Sequence, residues 1–458
     1  MHVLFDARLV HRATSGLERV QVNLLRELAG RREVTRLRAL VRPGVDLAAH
    51  VPERVEPEEV ASSEEILALL VGDDAPDVLH FTYFPDRDPH DLLLVGAARA
   101  SVVSVTDAIL NRHPEYHRTE EEHAWYDRFV RALVAGADRV LSYTASAGRE
   151  AVEDTGADPT RVDLASLAVD PRLEEPLEPD DVRARLDRLE LDGDWFVLVG
   201  KDYPHKDHAT ALRALARLGG DTRIVCAGQK VYAAKDGDES TDVLLARLEL
   251  SDRVRWIEGL DDDDVKAVLQ GSKGLLYPSR EEGFGLPPLE AMRLGVPVAA
   301  ARAMSIPEVC GDGALLFEPG DDEALAAAMR TFLEGGDEVA ALVRRGHARA
   351  AEFTWARAAD GVVASYRKAV DAGVVRGGDD VRVTKEMLAA IAACPFHGAA
   401  ATELEAWRDR CSHVEAHLRN VSAHRDELAE RCRRLEDAGR PRWSWTRRLK
   451  KIRDRLGG

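Results

Sequence analysis

The stretch from Tyr277 to Pro297, YPSREEGFGLPPLEAMRLGVP, constrains this chain more than any other. The apolar run Gly274-Leu275-Leu276-Tyr277 reads as a short buried strand, ended by Pro278 and Ser279. Glu281 and Glu282 follow, then the glycine-spaced loop Gly283-Phe284-Gly285-Leu286. Pro287 and Pro288 fall in the first turn of a helix, where a missing N–H costs nothing. Leu289, Met292 and Leu294 line that helix, which stops at Gly295. Such a unit aims free backbone N–H groups from a strand end at a helix N-terminus, a geometry suited to an anionic or hydroxyl-rich ligand. Glu282 and Glu290 bracket the loop. The same residues also describe an ordinary strand–loop–helix corner.

Residues 1 to about 175 alternate strand and helix patterns. His2 to Phe5, Leu37 to Val41, Val78 to Phe81, Ser101 to Val105 and Arg139 to Tyr143 are candidate strands, and Gly16 to Leu28 is an amphipathic helix. This alternation predicts a parallel sheet covered by helices, with ligands at the carboxyl ends of its strands. Asp6, His80 to Tyr83 and Thr106-Asp107 occupy such ends, and Ser15-Gly16-Leu17 opens a helix. Pro171 to Asp192, proline-rich and charged, reads as a linker passing into a short helix. A second alternating region begins with the strand Trp195 to Val199, and Gly200-Lys201-Asp202-Tyr203-Pro204-His205-Lys206-Asp207 follows at once. Two lysines at a sheet's carboxyl edge suit a diphosphate, as compact charges stabilising a leaving group. Further elements are predicted at Asp207 to Leu218, Arg223 to Ala227, Val254 to Ile257, Leu260 to Ser272, Val296 to Ala300 and Trp355 to Val370. Gln229 and Lys230, just past a strand, are placed to border a nucleotide. The four aspartates Asp261 to Asp264 read as a helix cap and solvated face, with no metal-ligand spacing.

At 458 residues the chain has room for two or three domains. It has no apolar run of 18 residues, so no membrane-crossing helix is expected, and MHVLFDARLV reads as a first strand and not a signal peptide. Five cysteines without a CxxC pair fit a reduced, cytosolic protein. The net charge is −18, but residues 440–458 carry +7 against −25 for the rest. So acidic a body argues against nucleic-acid binding.

Glu282-x7-Glu290 with GFGLPPLEAM between resembles the signature of the retaining nucleotide-sugar glycosyltransferases of family 4, and among them the bacterial surface-polysaccharide, mannosyltransferase-like members. VRWIEG from Val254, SIPEVCGDGALL from Ser305 and EFTWA from Glu352 fall in that family's order and spacing. The likeness covers roughly residues 1 to 370, most strongly from about 195. It implies a GT-B fold of two Rossmann-like α/β domains facing across a cleft. The acceptor-side domain would be 1–175, completed by a crossover helix at 355–372, and the nucleotide-sugar domain 193–354. It implies transfer from a donor such as GDP-mannose or UDP-glucose to a glycan or lipid-linked acceptor, without metal or other cofactor. Carried over by position, Glu282 meets the donor sugar near its reacting carbon and Glu290 holds the ribose hydroxyls. Lys206 and Lys201 meet the diphosphate, with the loop Gly283, Phe284, Gly285 and Leu286. Gly16 lies near donor and acceptor, and Asp107 faces the acceptor as a second catalytic candidate. Ser305 to Val309 resembles the segment that closes over the donor. One departure stands out: Thr106 sits where many relatives carry a histidine, and threonine carries no proton at neutral pH. Either the reaction does without that group, or His80 or His113 replaces it, or catalysis is weakened. A nucleotide-sugar 2-epimerase and a non-catalytic scaffold are the competing readings.

The likeness fades after about residue 372. Gly373 to Asp380 reads as a linker. Leu404, Trp407, Cys411, Val414, Leu418, Val421, Arg425, Leu428, Cys432 and Leu435 alternate steps of three and four. That seam predicts a helical coiled coil within 384–437 and a homo-oligomer through 404–435, with a single packed helix as the alternative. Residues 440–458 place Trp445, Leu449, Ile452 and Leu456 on one helical face among basic residues, the pattern of a helix lying on an anionic membrane surface. A cytoplasmic protein held peripherally at the inner face of the membrane is the resulting expectation, with a disordered basic tail as the alternative.

Overall fold

The computed structural model describes residues 1–11, 15–71, 74–82, 91–230, 241–375 and 387. The coiled coil expected at 384–437 and the basic tail at 440–458 lie outside the described residues, apart from Met387.

Two parallel sheets with covering helices make up the described chain, as the alternating pattern predicts. The first contains β1 His2–Asp6, β2 Arg36–Val41, β3 Val55–Glu59, β4 Val78–Thr82, β5 Ser101–Ser104, β6 Arg139–Ser142 and β7 Val162–Leu164, in the order β3-β2-β1-β4-β5-β6-β7. The second contains β8 Trp195–Val199, β9 Arg223–Ala227, β10 Val254–Ile257, β11 Leu275–Tyr277, β12 Val298–Ala301 and β13 Leu315–Phe317, in the order β10-β9-β8-β11-β12-β13. The inner strands are near-continuous apolar runs because helices cover both faces, and Phe196, Val197, Leu275, Leu276 and Val298 are fully buried. The edge strand β3, VEPEE, has no such run. It is held by β2 through the cross-strand pairs Arg36–Glu56 and Arg38–Glu58, and its Pro57 is tolerated because an edge leaves one side unpaired.

Strand order reverses on either side of β1 in the first sheet and of β8 in the second, and ligands bind at such reversals. The loops leaving β8 and β11 carry Lys201, Lys206, Glu282 and the Gly283–Leu286 turn. The segment expected as a linker is partly helical. Its helix Pro179–Arg188 packs on helix Asp262–Gly271, with Arg185 and Arg188 bonded to Asp264. The four aspartates are thus a cap and ion-pair partners: Asp261 accepts from the Asp264 N–H at 2.7 Å, and Asp262 pairs with Arg19 and Arg172.

Helix Trp355–Val375 returns to the first sheet, packing on helix Gly16–Ala29 and on β4 to β7. Trp355 Nε1 donates to the Val169 carbonyl at 2.8 Å, and the Tyr366 hydroxyl meets His80 Nδ1 at 2.7 Å. His80 is therefore a core residue, its other nitrogen 2.7 Å from Ser104 Oγ, and burial pushes its pKa down to about 3. It does not reach the cleft, so it does not replace the histidine missing at Thr106.

Candidate active site

The two sheets' carboxyl edges face one another across a cavity of about 1040 Å³, lined among others by Gly16, Asp107, Lys201, Lys206, Glu282 and Glu290. Sequence-distant candidates therefore share one space. A smaller cavity of about 300 Å³ opens in the first domain beside Asp6, Arg8, Thr82 and Asp91.

Lys206 ends a single 3-10 turn, Pro204–Lys206, and Asp207, at φ +47°, caps the next helix. Arg280 holds Asp207 at 2.8 Å, tying the loop after β8 to the loop after β11. The Lys206 ammonium bonds Glu282 Oε1 at 2.5 Å and lies over the Tyr277 ring. Burial alone raises the Glu282 carboxyl, but the Lys206 charge and hydrogen bonds from Lys206, Tyr277 and Ser279 outweigh it, so the group is held below its ordinary value. The site thus keeps an ionised carboxylate and an ammonium in contact at the cavity wall.

Gly285 adopts φ +98° and turns the chain into helix Leu286–Arg293, a conformation that only glycine takes without strain. Phe284 is buried against Phe353, so its side chain anchors the loop and leaves its main chain to face a ligand. Ser305 Oγ donates to the carbonyls of Glu282 and Phe284 at 2.7 and 3.0 Å, fixing the loop from behind. Leu286 lines the cavity, 4.0 Å from where a Cβ on Gly16 would lie.

Glu290 rises from that helix into the cavity floor. Burial pushes its carboxyl up to about 7; Arg19 nearby opposes this, while Asp170 and Asp262 add to it. A folded-state value above that of the unfolded chain means the native protein binds more protons between pH 4.5 and about 7, so this group costs stability progressively as pH rises through that window. Glu290→Gln is expected to raise Tm at pH 8 by the equivalent of roughly 1–3 kcal/mol and to leave it nearly unchanged at pH 5. Thermal melts at the two pH values check this. Equal shifts at both would mean that Glu290 is not held above its ordinary range.

On the first domain, Asp107 follows β5. Burial raises its carboxyl, the Glu282 charge adds to this, and the Ile109 N–H at 3.1 Å lowers it. Between Asp107 and Glu282 sits Gly283: a Cβ there would meet the Thr106 carbonyl oxygen at 2.2 Å. His113 lies at the domain junction, 2.7 Å from both Glu281 and Glu115; the Glu281 hydrogen bond, against burial, holds its imidazole above the ordinary range. It binds Glu281, not Glu282. Arg112 joins Glu281 to Glu150, and Thr144 Oγ1 donates to the Gly283 carbonyl at 2.9 Å. Sequence reading missed Arg19, Arg112 and Thr144, whose second-domain partners Asp262, Glu281 and Gly283 lie more than 100 residues away and leave no local signal.

Two facing Rossmann-like domains with the site between them define the GT-B class. An Anabaena protein, Alr3699/HepE, solved in complex with UDP, superposes with a TM-score of 0.61 at 18% identity, over 80% of this chain and all of that one. WaaG, a glycosyltransferase involved in lipopolysaccharide biosynthesis, gives 0.56 at 18% identity, over 82% of this chain and all of that one. At such identities the likeness is one of fold. Residues 187–349 match the family described as glycosyl transferases group 1, so the second domain is a group 1 glycosyl transferase domain. Among curated relatives, an MMP alpha-(1->4)-mannosyltransferase of Mycolicibacterium hassiacum is 32% identical over 235 residues, 50% of this chain and 54% of that protein. An O-antigen chain mannosyltransferase B of Escherichia coli is 24% identical over 390 residues, 80% of this chain and 100% of that protein. The chain spans about half the length of the mycobacterial relative it matches.

Proposed function

We propose that this chain is a retaining glycosyltransferase that moves a sugar from a nucleoside diphosphate to an acceptor hydroxyl. The observation that carries the reading is the Lys206–Glu282 pair, which lines the 1040 Å³ cavity together with the Gly283–Leu286 loop and Asp107. Lys206, with Lys201 on the same wall, takes the diphosphate and stabilises charge on the departing phosphate oxygen. Glu282, released from Lys206, faces the reacting carbon, where its negative charge stabilises the positive character of the transition state. Loop N–H groups hold sugar hydroxyls or phosphate, and Glu290 accepts from the ribose hydroxyls. Asp107 faces the acceptor. The lysines supply the positive charge, and a metal-independent reaction is part of the proposal.

Two named relatives are mannosyltransferases and one solved neighbour holds UDP, which supports GDP-mannose and UDP-glucose as the first donors to test. The first-domain wall of the cavity includes Leu17, Ile109, Leu110, Leu167 and Leu173, an apolar surface suited to an acceptor with a hydrocarbon portion. With the O-antigen relative and the amphipathic pattern of 440–458, this supports a lipid-linked glycan acceptor in cell-surface polysaccharide assembly. In this reading the enzyme oligomerises through 404–435 and associates peripherally with the membrane. Among the described residues no helix is long and apolar enough to cross one.

The test is calorimetry of the full chain against a panel of nucleotide sugars, then transfer in EDTA to lipid-linked acceptors, with product anomeric configuration read by NMR. One donor bound at micromolar strength and transferred with retention is the expected result. Absence of binding at millimolar nucleotide would reject it in favour of a scaffold, the reading that Thr106 in place of histidine favours. Free epimerised sugar would instead identify an epimerase.

A further inference from the structure

Glu308 belongs to the second domain, on the short helix Ile306–Cys310, yet its carboxylate is bonded to the first domain. The Ala145 N–H donates to Oε1 at 2.8 Å and the Ser146 N–H to Oε2 at 3.2 Å. These are the first two amides of the eleven-residue helix Ala145–Thr155. The third, on Ala147, is taken by the helix's own cap, Thr144 Oγ1, at 3.0 Å. The end of this helix is therefore completed by a carboxylate from the opposite domain, where the helix dipole favours negative charge.

The contact is continuous with the donor loop. Ser305, three residues before Glu308, holds the carbonyls of Glu282 and Phe284, while Thr144 beside the capped amides donates to the carbonyl of Gly283. One turn of second-domain chain thus grips the Glu282–Phe284 loop with one side chain and the first domain with another. Arg349 braces the turn through the carbonyls of Glu308 and Val309. Glu308 is an exposed residue, so separating the domains returns its carboxylate to water and strands no buried charge. That is the property a reversible contact needs.

We propose that Glu308 is a positioning residue that latches the two domains closed by capping helix Ala145–Thr155, and so sets the distance between the donor loop and Asp107. The proposal rests on the transferase reading for its catalytic consequence, but the latch itself is testable without any substrate.

The experiment compares the full chain with Glu308→Ala and Glu308→Gln. Interdomain distance is read by energy transfer between genetically encoded labels at Glu153 and Arg344, together with UDP and GDP binding and steady-state kinetics. In the ligand-free protein, Glu308→Ala is expected to lengthen and broaden the distance distribution. Glu308→Gln, which keeps one acceptor oxygen, should fall between it and the natural chain. Dissociation constants for the nucleotide bound by the natural chain should move less than threefold, while kcat falls about tenfold. An unchanged distance distribution in Glu308→Ala overturns the latch. So does a loss of nucleotide affinity that matches the loss of kcat, which would make Glu308 a support of the donor site alone. Failure of the transferase reading shows separately, as no transfer by the natural chain alongside an altered distance in the variant.

Discussion

Gly283→Ala is expected to reduce transfer about a hundredfold while leaving each domain folded. Gly283 has no positive φ, so alanine suits its backbone, and the glycine is required by what faces it. An added Cβ would lie 2.2 Å from the Thr106 carbonyl oxygen, 2.9 Å from its carbon and 3.0 Å from Asp107 Cβ. Two of these atoms are main chain and cannot swing away. The only relief is for the loop and the first domain to separate by about 1 Å, a displacement that costs a reaction about 10²-fold when it falls between reacting groups. Nucleotide binding to the second domain should change only a few-fold, because the clash lies on the far side of the loop. Gly285→Ala is the contrasting control: it meets nothing nearer than 3.9 Å, but at φ +98° it strains the turn itself, so nucleotide binding and transfer should fall together. Kinetics alongside calorimetry distinguish the two patterns. Transfer by Gly283→Ala within threefold of the natural chain would show that the closed contact is not the reacting geometry.

Lys206→Ala should be the more damaging change to the chemistry. It removes the charge that meets the diphosphate, and it leaves the largely buried Glu282 carboxylate without its counter-ion. A loss of roughly 10³-fold in kcat/KM is expected, in line with removal of a preorganised group that stabilises developing charge. Stability responds with a definite sign. In the natural chain Glu282 sits below its ordinary value, so its pairing contributes stability above pH 4.5 that is lost as pH falls through the folded-state value. Without Lys206, burial dominates and the group moves above 4.5, so it costs stability as pH rises. The difference in stability between natural chain and variant, read from Tm, should therefore be large at pH 8, about 3 kcal/mol, and small near pH 4. Adding Glu282→Gln to Lys206→Ala should recover much of the stability at pH 8 and none of the activity. A double variant no more stable than Lys206→Ala would show that the two side chains do not act as a pair.

The sequence made much of this legible. Trp195–Val199 and Arg223–Ala227 are strands at the residues their composition marked, because strands packed within a covered parallel sheet are short β-branched or aromatic runs, and the edge strand Val254–Ile257 was marked by its own Val, Trp and Ile. The edge strands Val55–Glu59 and Val162–Leu164 were not legible: both depend on a neighbour, through Arg36–Glu56, Arg38–Glu58 and Arg139–Asp163, and not on burial of their own side chains. Helix Gly16–Ala29 shows its start because Ser15 and Glu18 form a capping box three residues apart. The cap of helix Ala145–Thr155 is only half visible, since Thr144 is local and Glu308 comes from the other domain.

By itself, the sequence determined the two alternating α/β regions, the turn chemistry of Gly283–Leu286 with its prolines, and which residue types stand at strand ends. These follow from local rules of periodicity, φ and capping, which act over a few residues. Only the tertiary structure decided that His80 is locked in the core and that His113 binds Glu281. It also decided that Lys206 bonds Glu282 across 76 residues, and that Gly283 is small because Thr106 lies against it. Charge pairing and close approach depend on distance in space, and a chain folded into two facing sheets sets those distances by how the sheets meet.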